Sequence, residues 1–406
     1  MVTSASGQGK RLWVLRAGEM VEYDPATFEV KSRVKVPAEA GEVPQNISVN
    51  HLGQMLFVPA VSLPLAETDV ESHHKIWFWN GRAAATIDLG VKREVGATGS
   101  NQSVAESAPI AHLSADGAHL FWFANEARRL QREEVDLSTA TTWHAWQADL
   151  SGGAPQDLVS LKLPDCRCPT GSCEESCPYG QVWVPPGGIG KFFLMTQFVS
   201  GKTESVYKVS TRYQQDSSTW APHPLGEPLR RILDASASGD VVVEAIPDTG
   251  CCGWVNQSDD QTLVRTSDKS INEFDELATY KNSDYDVSFF TSNAQLSPDA
   301  GSVAMTINAT AKASQPIQLS EQGQANPEES RQIRKGLAEL PAVEVKSVED
   351  PPKRLAFVPH ATLVGWLNDK ELLLVEDHLL VAYHVGTGAQ RKSSIRIEDA
   401  AGVFLR

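Results

Sequence analysis

The chain has 406 residues, 41% of them apolar, enough for one large core or two ordinary ones. Its 36 basic and 51 acidic residues leave a net charge of −15, which repels nucleic acid and anionic membrane surfaces. No stretch approaches the roughly 18 to 20 continuous apolar residues of a membrane-spanning helix, so no direct membrane insertion is expected.

The N-terminus "MVTSASGQGKRLWVLRAGEM" lacks the apolar middle region of a secretory signal, and the expected location is cytoplasmic, at most peripheral to a membrane complex. A signal removed beforehand would make it periplasmic. In the cytoplasm the six cysteines are expected to be reduced at rest.

Helical periodicity is almost absent, and short runs of Val, Phe, Trp, Leu and Thr recur between Gly, Asp, Pro and Asn turns, which predicts an all-β chain. "RLWVLRAGEMVEYDPATFEVKSRVKV" supplies three strands that lack an innermost partner. A unit of small-residue strand, tight turn and strongly apolar strand then recurs six times, from Ile47, Ile110, Val182, Ile232, Asn293 and Leu363. Most copies are followed by a third and a fourth strand, as in "KIWFWNGRAAATIDLG", so each unit reads as a four-stranded antiparallel meander. The spacing, roughly 40 to 70 residues, matches or exceeds a propeller blade.

Such a meander cannot cover its own apolar faces, whereas a ring of them buries each face against the next. The C-terminal "AGVFLR" supplies one strand with nothing after it and complements the N-terminal three. The expected fold is a single seven-bladed β-propeller over 1–406. Its blades are 11–37 plus 402–406, 46–90, 109–163, 181–225, 230–280, 287–358 and 361–398, with inserted loops 164–180 and 312–341.

"LSADGAHLFWF" and "LSPDAGSVAMT" resemble the blade motif of TolB-like, WD40-like propellers, in which a Ser-Pro-Asp-Gly turn follows the innermost strand. The resemblance implies a propeller over nearly the whole chain and specifies little else. The chain departs from TolB itself in lacking a signal and room for the N-terminal α/β domain, so TolB's periplasmic partners are not carried over. With "CRCPTGSCEESCP" and "CCGW" it is similar to cysteine-bearing bacterial TolB-like proteins, among them a peripheral subunit of a homodimeric photosynthetic reaction centre. That resemblance implies a soluble subunit of a membrane-bound electron-transfer complex, although no pigment or electron-transfer motif accompanies it.

The connections between first and second strands, and between third and fourth, are short throughout. The others include "VKREVGATGSNQSVAESA", the cysteine loop and residues 312–341, which makes one face the candidate working surface, the alternative being long surface loops tolerated at low cost. In the longest, Asn326 and Pro327 predict the start of a short amphipathic helix. Its stripe of Ile333, Leu337 and Leu340 could meet a protein partner or pack onto the rim.

Cys166, Cys168, Cys173 and Cys177 crowd one of these loops and Cys251 and Cys252 another, on the same face of neighbouring blades. Adjacent Cys251 and Cys252 do not bridge each other easily, because their Cα atoms lie about 3.8 Å apart. Disulfides or another loop staple rank first, structural zinc second because the spacing departs from paired Cys-x2-Cys, and redox chemistry third. In the first two cases the cysteines hold a loop in shape.

No Gly-x-Ser-x-Gly elbow or phosphate-binding loop occurs, and adjacent His73 and His74 face opposite ways in an extended segment. The reading is therefore a non-catalytic protein-interaction scaffold with no cofactor. The alternative is a small-molecule enzyme, lactonase-like or dehydrogenase-like, using a central channel near His51, His112, Asp234, Asn293 and Asp299.

Overall fold

A computed structural model describes residues 10–36, 46–58, 70–94, 110–127, 141–151, 156–162, 180–185, 188–200, 206–216, 219–224, 231–237, 241–246, 262–267, 270–276, 279–281, 286–312, 335–349 and 351–406. The chain divides into two compact units, residues 1–203, 211–224 and 399–406 in one, residues 204–210 and 225–398 in the other.

In chain order, the first unit opens with β1 (Leu12–Arg16), β2 (Glu19–Tyr23) and β3 (Val30–Lys35). β4 (Asn46–Val49), β5 (Met55–Val58), β6 (Val70–Trp79) and β7 (Ala84–Glu94) follow. Next come β8 (Ile110–Leu113), β9 (His119–Ala127), β10 (Thr141–Asp149) and β11 (Gln156–Lys162). The last group is β12 (Gly180–Trp183), β13 (Phe192–Ser200), β14 (Val206–Asp216), whose first residues belong to the other unit, and β15 (Thr219–Pro224).

The second unit holds β16 (Arg231–Ala235), β17 (Val242–Ile246), β18 (Thr262–Ser267) and β19 (Ser270–Glu276). β20 (Thr279–Lys281), β21 (Asp286–Leu296), β22 (Ser302–Lys312), β23 (Ala342–Ser347) and β24 (Arg354–Pro359) come next. It ends with β25 (Ala361–Asn368), β26 (Glu371–Glu376), β27 (Leu379–His384) and β28 (Gln390–Arg396), before β29 (Ala400–Leu405) returns to the first unit.

Among the described residues these strands form seven sheets, six of four strands and one of five. All the strand pairs described within them are antiparallel. One sheet joins both ends of the chain in the order β29-β1-β2-β3, with Leu12 opposite Leu405 and Val14 opposite Val403. The fifth strand of the larger sheet, β20, pairs only with the start of β21; three residues carry too little periodicity to show in the sequence.

The second strands of these meanders are strongly apolar, with both faces buried in several of them. Leu12–Leu15, Met55–Val58, Leu120–Phe123, Val303–Ile307 and Leu372–Leu374 are buried without alternation. Outer strands alternate, as β28 does. Within the first unit Trp13, Leu15 and Met20 pack on Met55, Phe57 and Trp77. Leu56 and Ile76 pack on Leu113 and Leu120, and Phe121 and Phe123 on Phe193. In the second unit Val243 meets Ala294 and Met305, while Val343 and Val345 meet Trp366 and Leu372. Each such fully buried Leu or Phe contributes about 1.5 to 3 kcal/mol.

Candidate functional site

The recurring turn after the first strand is a hydrogen-bonded device. Ser114 Oγ accepts the His119 N–H at 2.9 Å, and Ser297 Oγ accepts the Ser302 N–H at 2.9 Å. Asp two residues on receives the serine hydroxyl, in Ser114–Asp116 and in Ser297–Asp299 at 2.6 Å, and also a backbone N–H, from Ala118 or Gly301. Asn50 does the same work alone, its Oδ1 accepting the Leu52 and Gln54 N–H groups.

These bonds hold the carboxyls of Asp116 and Asp299 below the usual range. At Asp299 the Ser297 hydroxyl is the largest cause. At Asp116 desolvation pulls upward, and the Ser114 and Ala118 hydrogen bonds with the charge of His119 outweigh it.

The same turns are stitched across sheets. Gln54 Nε2 donates to Gly117 O at 3.1 Å, Asn50 Nδ2 to Ser114 O at 3.3 Å, and Ser114 bridges Ile189 in parallel register. Gly117 has φ +72° and faces Gln54 and Leu52 so closely that a Cβ would collide with both. In the second unit the Asp299 N–H donates to Asp369 Oδ1 at 3.0 Å.

First strands are tied by polar side chains as well. Ser48 Oγ accepts the Leu113 N–H at 3.3 Å, and buried Asp234 accepts the Leu296 N–H at 2.7 Å. Asn293 and Gln295 donate to the carbonyls of Leu363 and Val364. Of the five candidate channel residues, Asp234, Asn293 and Asp299 are thus engaged in holding backbone.

His112 is half-buried in an edge-to-face contact with Phe123, centroids 6.2 Å apart, and burial, aided by the charge of Arg406, lowers its pKa to about 4. It is neutral at physiological pH. His51 lies in the first turn, half-buried.

Ser114, Asp116 and His119 bring a hydroxyl, a carboxylate and an imidazole together, but not as a nucleophile with its base. The Ser114 hydroxyl donates to Asp116, and His119 Nδ1 faces the same carboxylate at 3.6 Å rather than the hydroxyl. The equivalent turn at Ser297 has Ser302 in place of the histidine and keeps the same bonds, which marks the set as turn architecture.

Sequence reasoning passed over three residues. Arg406 extends the β1–β29 ladder through Arg11 and donates from Nε to Val49 O at 3.1 Å; burial lowers its pKa to about 10. Buried Glu22 binds Arg11 at 2.9 Å and Ser32 at 2.8 Å, and buried Glu344 pairs with Arg354. A lone acid in a strand gives no sequence signal of burial; only its partner on the neighbouring strand reveals it.

Cys166, Cys168, Cys173, Cys177, Cys251, Cys252 and Ile333 lie outside the described residues. Residues 335–338 form a helical turn pressed on β21, where a Cβ on Gly336 would meet the Phe289 ring at 2.8 Å. Half-buried Leu337 belongs to that turn, and Leu340 packs against the cluster of Val243, Leu296 and Met305. Backbone pairing places His73 opposite Val91, with a bulge between His73 and Lys75.

Among the described residues, no group of three or more His, Cys, Asp or Glu is placed to hold a metal ion, and no helix is long and apolar enough to cross a membrane.

The strand bounds show where the long connections leave. First-to-second and third-to-fourth connections are short: 50–54, 114–118, 297–301, 80–83 and 385–389. Connections at the opposite ends of the same sheets include 59–69, 95–109, 128–140, 163–179, 247–261 and 313–341.

No family model matches the chain, and no curated protein matches it. Among solved structures it is similar to apo AztD from Citrobacter koseri, with 10% identity, 98% and 97% of the two chains covered and a TM-score of 0.41. It is also similar to the complex of KlAtg21 with the coiled-coil of AgAtg16, with 9% identity, 95% and 94% covered and a TM-score of 0.49. The Dos1 propeller matches with 9% identity, 87% and 85% covered and a TM-score of 0.34.

Proposed function

We propose that the chain is one seven-bladed β-propeller that acts as a non-catalytic scaffold, holding a protein partner at the ends of its sheets from which the long connections leave. The observation that carries this reading is the asymmetry of the sheets. One end is closed by short turns, whose described polar side chains bond backbone and neighbouring turns, while the other sends out the long connections.

The pairing of β29 with β1 supports closure of the ring by the two chain ends. The TolB-like attribution rests on the Leu-Ser-x-Asp turns at Ser114 and Ser297, and a place beside a membrane-bound electron-transfer complex rests on the cysteine-bearing loops. In that reading the cysteines, as disulfides or with structural zinc, stiffen the surface offered to the partner.

The enzyme reading needs free acid and base groups near the first strands, and Asp234, Asn293 and Asp299 are committed to backbone instead. The test is to replace 163–179 and 313–334 separately with short Gly-Ser linkers and quantify chains that co-purify from the native host. Loss of a stoichiometric partner supports the scaffold; retention after both replacements counts against it. Turnover of a small-ester or sugar-lactone panel that vanishes in Asp234→Asn would favour the enzyme.

A further inference from the structure

The turn between β6 and β7 contains the chain's Asn-Gly pair, and its geometry goes beyond a hairpin connection. Asn80, Gly81, Arg82 and Ala83 are all exposed. The Asn80 N–H donates to Ala83 O at 3.1 Å, and Asn80 Oδ1 accepts the N–H groups of Arg82 at 2.9 Å and Ala83 at 2.8 Å. Gly81 has φ +95°, and apart from its two chain neighbours no described atom lies within 4 Å of where a Cβ would stand. Among the described residues its N–H enters no hydrogen bond.

We propose that Asn80 is a self-modifying site, at which the Gly81 backbone nitrogen attacks the Asn80 side-chain amide and converts position 80 to a mixture of aspartyl and isoaspartyl residues. The Gly81 nitrogen forms a bond to Asn80 Cγ and gives its proton to water or hydroxide. The Cγ–Nδ2 bond then breaks and the side-chain nitrogen leaves as ammonia. Water opens the resulting five-membered imide at either carbonyl, so one water is consumed, one ammonia released, and no oxidant or reductant is needed.

Two features of the fold favour the first step. The negative charge of the tetrahedral intermediate develops on Oδ1, where two backbone donors already stand within the roughly 2.7 to 3.1 Å reach of an oxyanion hole. The nucleophile is unshielded, because glycine places no side chain over it.

Asp116-Gly117 is an internal contrast. There the glycine N–H is committed to Ser114 O at 3.2 Å, the glycine faces Gln54, and the carboxylate is held ionised, which makes it a poor electrophile. The product at position 80 carries a new negative charge. In its isoaspartyl form it lengthens the backbone of the turn that sets Trp79 opposite Ala84.

The experiment incubates the native full chain at mildly alkaline pH and follows peptides by mass, with an isoaspartate-specific carboxyl methyltransferase as a second readout. A parallel sample is unfolded in urea at the same pH. Conversion is expected at position 80 and not at 116, at a native rate at least equal to the unfolded one, and slowed about tenfold or more in Gly81→Ala, equivalent to about 1.4 kcal/mol of barrier. Native conversion slower than unfolded, or equal rates in the Gly81→Ala chain, would overturn the proposal.

Discussion

Removing the Asp234 carboxylate separates a structural from a catalytic role for the first strands. Asp234 is 7% exposed and its Oδ2 accepts the Leu296 N–H at 2.7 Å, tying β16 to β21. Asp234→Ala deletes a hydrogen bond to a charged acceptor and leaves a buried N–H unsatisfied, costing about 2 to 3 kcal/mol. Asp234→Asn keeps an acceptor oxygen and loses only the charge, costing about 1 kcal/mol. With a slope of about 2 kcal/mol per molar urea, the transition assigned to the second unit moves down by about 1 M in the alanine variant and about half that in the asparagine variant. Far-UV circular dichroism against urea reads both. The reasoning fails if Asp234→Ala shifts the midpoint by less than about 0.2 M at constant slope, or if asparagine is the worse substitution.

His112 sets a pH dependence: its folded pKa of about 4 lies below the ordinary 6.5, so the unfolded chain binds the extra proton between those values. Stability is therefore lost as pH falls from 6.5 towards 4, by at most about 3 kcal/mol because the ring is only half-buried, and His112→Leu should flatten that window in pH-dependent urea melts. Gly117→Ala should destabilise more than Gly81→Ala, by at least about 1 kcal/mol, since both glycines have positive φ but only Gly117 faces packed side chains; thermal melts compare them. Arg354→Met strands the buried Glu344 carboxylate at a cost of about 3 kcal/mol, and adding Glu344→Gln should restore most of it in a double-mutant cycle. Removing 400–406 leaves β1 paired with β2 alone, its other edge open, and should abolish the cooperative transition of the first unit by calorimetry.

The sheets were legible because their chemistry is local. Unbroken apolar runs such as Met55–Val58 mark a strand covered on both faces, and Ser114-Ala115-Asp116 carries the side chains that close the turn behind it. The unmatched strands at the two chain ends pointed to each other, and β1 pairs β29. Short β20 was not legible because three residues carry too little periodicity, and the burial of Glu22, Glu344 and Arg406 was not because each depends on a partner outside its own strand, as Arg406 depends on Val49. For the candidate site the sequence supplied residue types without their bonds. Asp234 and Asp299 read as acids near a channel until the Leu296 and Gly301 N–H groups occupied them. Leu340 read as part of an apolar stripe that could meet a partner or the rim, and it packs beside Met305.

The claim that the long connections hold a partner is tested most directly by one quantitative co-purification from the native host. It compares the intact chain, the chain with 163–179 and 313–334 both replaced by linkers, and an Asn80→Asp chain altered only at a short turn. The account predicts a stoichiometric partner with the first and third chains and none with the second, all three showing the same circular dichroism. A partner retained by the doubly replaced chain, or lost with the short-turn change, would contradict it.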